Sequence, residues 1–127
     1  MELQMKENGF IANFAYGQLK ISGDESYGFR PYQLMVSSIA ACSSSVLNKV
    51  LGKMRMNCED LKVSVQVERN EQEANRIEKI HMHFVIKGEG LQQEKVEKAI
   101  ALARKNCPMV QSVKDSIEIT ESFELIQ

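Results

Sequence analysis

Short stretches of alternating apolar and polar residues open the chain and predict β-strands. Asn8-Gly9, a dipeptide typical of tight hairpin turns, lies between the candidate strands at residues 3–6 and 10–14. A third short strand is expected at residues 19–21. The glycines and polar residues that follow indicate a loop up to Arg30. The first quarter of the chain is therefore predicted to be a small sheet.

The apolar spacing changes to a helical period after Pro31, a residue that suits the first position of a helix. Apolar residues then recur three or four positions apart up to about residue 54: Met35, Ile39, Cys42, Val46 and Val50. At 1.5 Å per residue this helix would be roughly 35 Å long. Its wide apolar face predicts a position at the centre of the fold.

The second half of the chain returns to strands and adds shorter helices. Residues 61–68 and 79–87 alternate in hydrophobicity and predict a hairpin. A helical stripe ends at Cys107, and residues 117–125 alternate again. Pro108 breaks this helix and can equally start a further short helix through Lys114. The predicted fold is α+β, in the order β-β-β-α-β-β-α-(α)-β, as a single domain over residues 1–127.

Charge and hydropathy exclude several classes of function. The chain has 16 Lys and Arg against 17 Asp and Glu, a formal net charge of −1. A balanced charge offers no field to attract nucleic acid or an anionic membrane. The start of the chain resembles no signal peptide, and the longest weakly polar run, residues 34–42, is too short to span a bilayer. We expect a soluble, cytoplasmic protein with no nucleic-acid or membrane partner.

Three cysteines, an odd number, favour reduced thiols in an intracellular protein. Cys42 and Cys107 lie on apolar helix faces that are expected to pack on the same sheet, so their thiols could meet. A thiol pair suits peroxide chemistry, in which one thiolate forms a sulfenic acid and the other condenses with it. Buried cysteines are also common as small hydrophobic residues, and the spacing alone favours that interpretation.

The remaining candidate groups point to ordinary structural roles. Cys58 lies in a polar turn and is expected to be a bystander thiol. His81 and His83 would project from one side of a strand, an arrangement that could bind a metal. Without a further Cys or His nearby in the sequence, a polar strand face facing solvent is favoured. We therefore predict no metal site and no cofactor.

Two cysteine motifs carry a resemblance to a known family. Residues 29–42, which contain Pro31 and end in Ala-Ala-Cys42, resemble the central helix of the OsmC/Ohr family, and Asn106-Cys107-Pro108 resembles its second cysteine motif. The resemblance implies an intertwined homodimer that reduces organic hydroperoxides to alcohols. It implies that Cys42 attacks the peroxide, that Cys107 resolves the intermediate, and that a dithiol, for example a lipoyl protein, restores both thiols.

This chain departs from the family at the residues that activate the thiolate. Active members carry a Glu one or two residues after the helix-starting Pro and an Arg from the N-terminal strands. Here those positions hold Tyr32 and Gln33, and no Arg precedes Arg30. Arg30, Tyr32 and Gln33 are the candidate substrate-binding or activating residues. The alternative is a non-catalytic member of the family that binds a small apolar ligand or a protein partner.

Overall fold

The order of strands and helices in the computed structural model, which describes residues 1–127, is the predicted α+β order. The six strands are β1 (Leu3–Lys6), β2 (Gly9–Asn13), β3 (Gln18–Ile21), β4 (Asp60–Asn70), β5 (Arg76–Lys87) and β6 (Glu118–Ile126). The three α-helices are α1 (Pro31–Lys53), α2 (Gln93–Asn106) and α3 (Pro108–Val113). A short 3-10 turn, Glu71–Glu73, lies between β4 and β5.

The chain divides into two compact units, Met1–Ser37 and Ser38–Gln127, and α1 begins in the first and continues into the second. The first unit is an antiparallel sheet of β1, β2 and β3. The second unit is a sheet in the order β4-β5-β6 with the rest of α1, α2 and α3. A single domain over residues 1–127 stays a prediction.

A tight turn at Asn8-Gly9 joins β1 to β2 in the first sheet. Asn8 has a positive φ of 63°, which Asn tolerates better than most residues. A Cβ atom on Gly9 would lie 2.3 Å from the carbonyl oxygen of Ile21, so only glycine fits where β2 passes β3. β2 ends at Asn13, earlier than predicted, and Phe14 lies in the following turn with its side chain 44% exposed.

The second part of α1 buries a face centred one residue away from the predicted stripe. Ile39, Ser43, Leu47 and Leu51 are at most 1% exposed, whereas Cys42 and Val46 are half-buried. Ser43 thus occupies a core position, and its hydroxyl has no hydrogen-bond partner. The small size of serine lets it enter the core, which apolar periodicity alone did not reveal.

α1 ends in a Schellman motif. The amide of Met56 donates to the carbonyl of Leu51, and the amide of Arg55 donates to the carbonyl of Gly52. Arg55 takes the left-handed conformation that this motif requires, with φ of 61°. Met56 and Leu51 are both buried, which supplies the apolar contact that accompanies such an ending.

The second sheet combines an antiparallel hairpin with a parallel pair. β4 and β5 pair antiparallel, as predicted, and β5 and β6 pair parallel. A parallel pair needs a crossover, and α2 and α3 provide it. The apolar face of β5 is nearly fully buried, as are the inward residues of both helices. The core residues are Ile80, Met82, Phe84, Ile86, Val96, Ala99, Ile100, Ala103 and Val110.

An ion pair joins the last turn of α2 to β6. The guanidinium of Arg104 lies 3.3 Å from a carboxylate oxygen of Glu121 and also donates to the carbonyl of Ile119. The side chain of Glu121 is only 8% exposed, because it lies in the apolar phase of β6. Burial raises the pKa of this carboxyl group, and Arg104 offsets part of that increase.

By length and composition, α1 is also apolar enough to cross a membrane, with 39% of its most apolar segment buried in the chain. The sequence prediction considered only residues 34–42 and missed this property of the whole helix. The core helix of a water-soluble protein passes the same test, so the property is weak evidence for a membrane span.

Ser43→Ala should stabilise the protein more than Ser45→Ala does, by about 1 kcal/mol, because a buried hydroxyl without a partner costs about 1–3 kcal/mol. Ser45 is exposed in the same helix, so its substitution gives a comparable gain in helix propensity without removing a buried hydroxyl. Urea unfolding of both variants measures the difference. A Ser43→Ala variant no more stable than Ser45→Ala would contradict the assigned cost.

Glu121→Gln should change how stability depends on pH. The pKa of Glu121 is higher in the folded state than in the unfolded state. The stability that Glu121 contributes to the fold is therefore fully present at a pH below its pKa in the unfolded state, and it is lost as the pH rises through its pKa in the folded state. The stability of the wild type relative to Glu121→Gln should therefore fall between acid and neutral pH.

Urea unfolding across this pH range measures the effect, with Glu118→Gln as the matched control on the same strand. Glu118 is exposed and pairs with Lys79 at 3.4 Å, so its removal should leave the shape of the curve nearly unchanged. Parallel curves for wild type and Glu121→Gln would show that burial of Glu121 does not control the pH dependence.

Candidate active site

Cys107 lies at the junction of two helices, where the backbone leaves α2 and enters α3. Its extended backbone, with φ of −83° and ψ of 111°, ends α2, and Pro108 then takes the first position of α3. The thiol sulfur accepts the amide N–H of Val110 at 3.5 Å, as an N-cap side chain does. Cys107 is 0% exposed. The sequence correctly placed it at the start of α3, because Pro108 both stops a helix and starts one.

Cys42 lies halfway along α1 and is only partly buried. Its thiol lies close enough to that of Cys107 to interact with it, so the structure brings together the two cysteines on separate helices. Both thiols are free. The pair therefore consists of one fully buried thiol and one that is partly accessible, near enough to interact.

Burial is the main cause of a raised pKa at Cys107. The amide N–H of Val110 lowers it, and the hydrogen bond to Cys42 raises it because that bond favours the protonated thiol. Cys107 is consequently a neutral thiol at neutral pH. Its sulfur accepts the backbone N–H of Val110.

The third cysteine lies apart from this pair in the hydrogen-bonding network. The Cys58 thiol donates to the backbone carbonyl of Asp60 at 3.4 Å. Burial and the negative charge of Asp60 raise its pKa. Cys58 is half-buried, as Cys42 is, which makes its thiol useful as an internal control.

The three other predicted site residues contact one another in the first unit. The guanidinium of Arg30 lies over the ring of Tyr32, 4.8 Å from its centre, in a cation–π contact. The amide of Gln33 donates to the hydroxyl of Tyr32 at 3.5 Å. Gln33 also lines a cleft of about 660 Å³ with Lys20, Tyr27 and Phe29 among its walls.

The two histidines lie on the polar face of the second sheet, opposite Gln66 and Ser64 of β4, as predicted. Their partners on β6 were not predicted: Thr120, Ser122 and Glu124. Those polar residues alternate with the apolar ones of β6, which is the signal in the sequence that could have identified them. No group of three or more His, Cys, Asp and Glu side chains in residues 1–127 is arranged to hold a metal ion.

Comparison with known proteins assigns the chain to a family. The family model described as OsmC-like protein matches residues 23–122. The protein YhfA of Escherichia coli K12 is 27% identical over 106 residues, which is 83% of this chain and 78% of that protein.

Two solved structures show the same fold. A hypothetical protein from Aquifex aeolicus is 25% identical with a TM-score of 0.88, over 98% of this chain and 93% of that chain. An organic hydroperoxide resistance protein OsmC from Legionella pneumophila is 21% identical with a TM-score of 0.75, over 97% of this chain and 93% of that one. The match to the family model covers most of the chain and both cysteine motifs, so the protein belongs to the OsmC-like family.

Proposed function

We propose that the protein reduces organic hydroperoxides to alcohols with the thiols of Cys42 and Cys107. The interaction between these two thiols, on two separate helices, is the observation that carries the proposal. Membership of the OsmC-like family, and a structural neighbour named for resistance to organic hydroperoxides, support it. The physiological role would be defence against oxidative stress.

Cys42 is the attacking thiol in this proposal because it is the more accessible of the two. Its thiolate attacks the outer oxygen of the peroxide, the O–O bond breaks, and the alkoxide leaves and takes up a proton to become the alcohol. Cys42 is left as a sulfenic acid. In this proposal the thiol of Cys107 donates a hydrogen bond to the Cys42 thiolate before the attack.

Cys107 completes the cycle. Its sulfur attacks the sulfenic sulfur of Cys42, which forms a disulfide and releases water. Because Cys107 is buried against Cys42, the intermediate meets this thiol before solvent thiols can reach it. A dithiol such as a lipoyl protein then reduces the disulfide by exchange and becomes oxidised itself.

Arg30, Tyr32 and Gln33 enter the proposal as substrate-binding or activating residues. Their positions just before and at the start of α1 correspond to the family segment that carries the activating carboxylate. The guanidinium of Arg30 is held over Tyr32, which limits the directions it can take. Arg30 would supply the positive charge that the family obtains from an N-terminal strand.

A homodimer is part of the proposal, since one chain leaves apolar surface uncovered in both units. Phe10 and Phe29 of the first unit are 47% and 59% exposed. The inward row of β4 in the second unit is only half-buried: Leu61, Val63, Val65 and Val67. A second copy would bury such surface. We also propose a cytoplasmic location, in which α1 is a core helix of a water-soluble protein and does not cross a membrane.

A second candidate function is binding without turnover. The observation that favours it is that Tyr32 and Gln33 contact each other where active members have a carboxylate, and Arg30 is engaged with Tyr32. In that case the cleft would hold a small apolar ligand or the surface a protein partner. The reactivity of Cys42 distinguishes the two functions.

Cys42→Ser should abolish consumption of an alkyl hydroperoxide in the presence of a dithiol, because the attacking sulfur is lost. Cys107→Ser should stop multiple turnover but still allow about one equivalent of peroxide to be consumed. Cys58→Ser, the matched control, should keep turnover within about twofold of wild type. A colorimetric peroxide assay measures all three, and unchanged turnover in Cys42→Ser would exclude the proposed reaction.

Cys107→Ala should slow alkylation of Cys42 by iodoacetamide at pH 7 by roughly 3- to 10-fold, since the thiolate loses a hydrogen-bond donor. Cys107→Ser retains a donor at this position and should react at a rate close to that of the wild type. Mass spectrometry of the Cys42 peptide measures the rates, with Cys58 in the same sample as the reference. The catalytic proposal fails if Cys42 reacts no faster than Cys58 in the wild type.

A further inference from the structure

A continuous chain of hydrogen bonds runs along the outer face of the second sheet. The parallel register places His81 beside Thr120 and His83 beside Ser122. Nδ1 of His81 lies 2.6 Å from the Thr120 hydroxyl, and Nε2 lies 2.8 Å from the Ser122 hydroxyl. The same Ser122 oxygen lies 2.7 Å from Nδ1 of His83, whose Nε2 is 3.3 Å from Glu124.

The carboxylate of Glu124, at one end of this series of hydrogen bonds, determines which group donates and which accepts in each of them. An ionised carboxylate only accepts, so Nε2 of neutral His83 carries the proton and its Nδ1 is the acceptor. The Ser122 hydroxyl therefore donates to His83 and accepts from Nε2–H of His81. The Thr120 hydroxyl donates to Nδ1 of His81. In this state both neutral imidazoles are protonated on Nε2.

The two inner nitrogens, Nε2 of His81 and Nδ1 of His83, converge on one point, since both lie within 2.8 Å of the same Ser122 oxygen. We propose that these two nitrogens form a binding site for one divalent transition-metal ion beside Ser122. The ion takes the place of the two hydrogen bonds to Ser122, and the outer nitrogens keep their partners.

The two outer nitrogens, Nδ1 of His81 and Nε2 of His83, have hydrogen-bond partners of the kind found around metal-binding histidines. A ligating imidazole usually donates its other N–H to a carboxylate, carbonyl or similar acceptor, which orients the ring. Glu124 already has this role for His83. For His81, the proton moves from Nε2 to Nδ1, and the Thr120 hydroxyl turns from donor to acceptor. No net proton is released, because only the tautomer of His81 changes.

The chemistry of the ligands selects the class of ion. Imidazole nitrogen suits Zn²⁺, Ni²⁺ and Cu²⁺ and does not suit Mg²⁺ or Ca²⁺. Water completes the coordination, because no third side chain of a metal-binding type converges there. Solvent can reach the site: His83 is 36% exposed, and His81 borders a surface cleft of about 340 Å³.

Titration of the reduced protein with Ni²⁺ by calorimetry tests the site. His81→Gln and His83→Gln should each weaken binding at least about tenfold, because one nitrogen of the chelate is lost. Glu124→Ala should weaken it by about 10- to 100-fold through loss of the ring's outer partner. Ser122→Ala keeps both imidazoles and should bind within about threefold of wild type.

These variants retain all three thiols and the N-terminal amine, so Ni²⁺ bound to those groups remains in every variant. Affinity unchanged in both histidine variants, or lost in Ser122→Ala, would overturn the proposed site. Histidine ring ¹⁵N spectra with Zn²⁺ give a second readout that does not depend on a variant. His81 should switch from the Nε2–H to the Nδ1–H tautomer while His83 does not, and absence of the switch would also overturn the proposal.

Discussion

The parallel pairing of β5 with β6 is the constraint on which both proposed sites in the second unit depend. Parallel strands cannot be joined by a tight turn, so the chain must cross one face of the sheet before β6 begins. That crossover is α2 followed by α3, and Cys107 lies at their junction. On the opposite face, the same register places the hydroxyl and carboxyl groups of β6 beside His81 and His83.

The buried face of the second unit tolerates polar groups only where they have a defined partner or a small volume. Glu121 enters the apolar phase of β6 because Arg104 meets it from the last turn of α2. That ion pair also holds the end of α2 close to β6, three residues before Cys107. Cys107 has a backbone amide and a second thiol as partners. Ser43 has none, and its size alone permits its burial.

Local patterns predicted the elements well and their long-range contacts less well. Alternation and turn residues identified the β4–β5 hairpin, because such strands are adjacent in sequence. The same alternation identified β6 but contained no information about its partner strand, so the groups beside His81 and His83 were missed. The helical period placed Cys42 and Cys107 on apolar faces, yet only the packed structure shows that the two thiols interact. Glu121 could have been noticed as a charged residue at an apolar position.

The unequal burial of the two thiols suits a division of roles in the proposed reaction. A buried thiol keeps its proton, because its thiolate would lose the solvation that water provides. Such a group is a poor first nucleophile, but its S–H can still donate a weak hydrogen bond to a neighbouring thiolate. Once Cys42 becomes a sulfenic acid, the same neutral thiol is already in contact with the sulfur it must attack. Burial of Cys107 therefore serves both steps, and part of the activation that the family obtains from Arg and Glu would here come from the second cysteine.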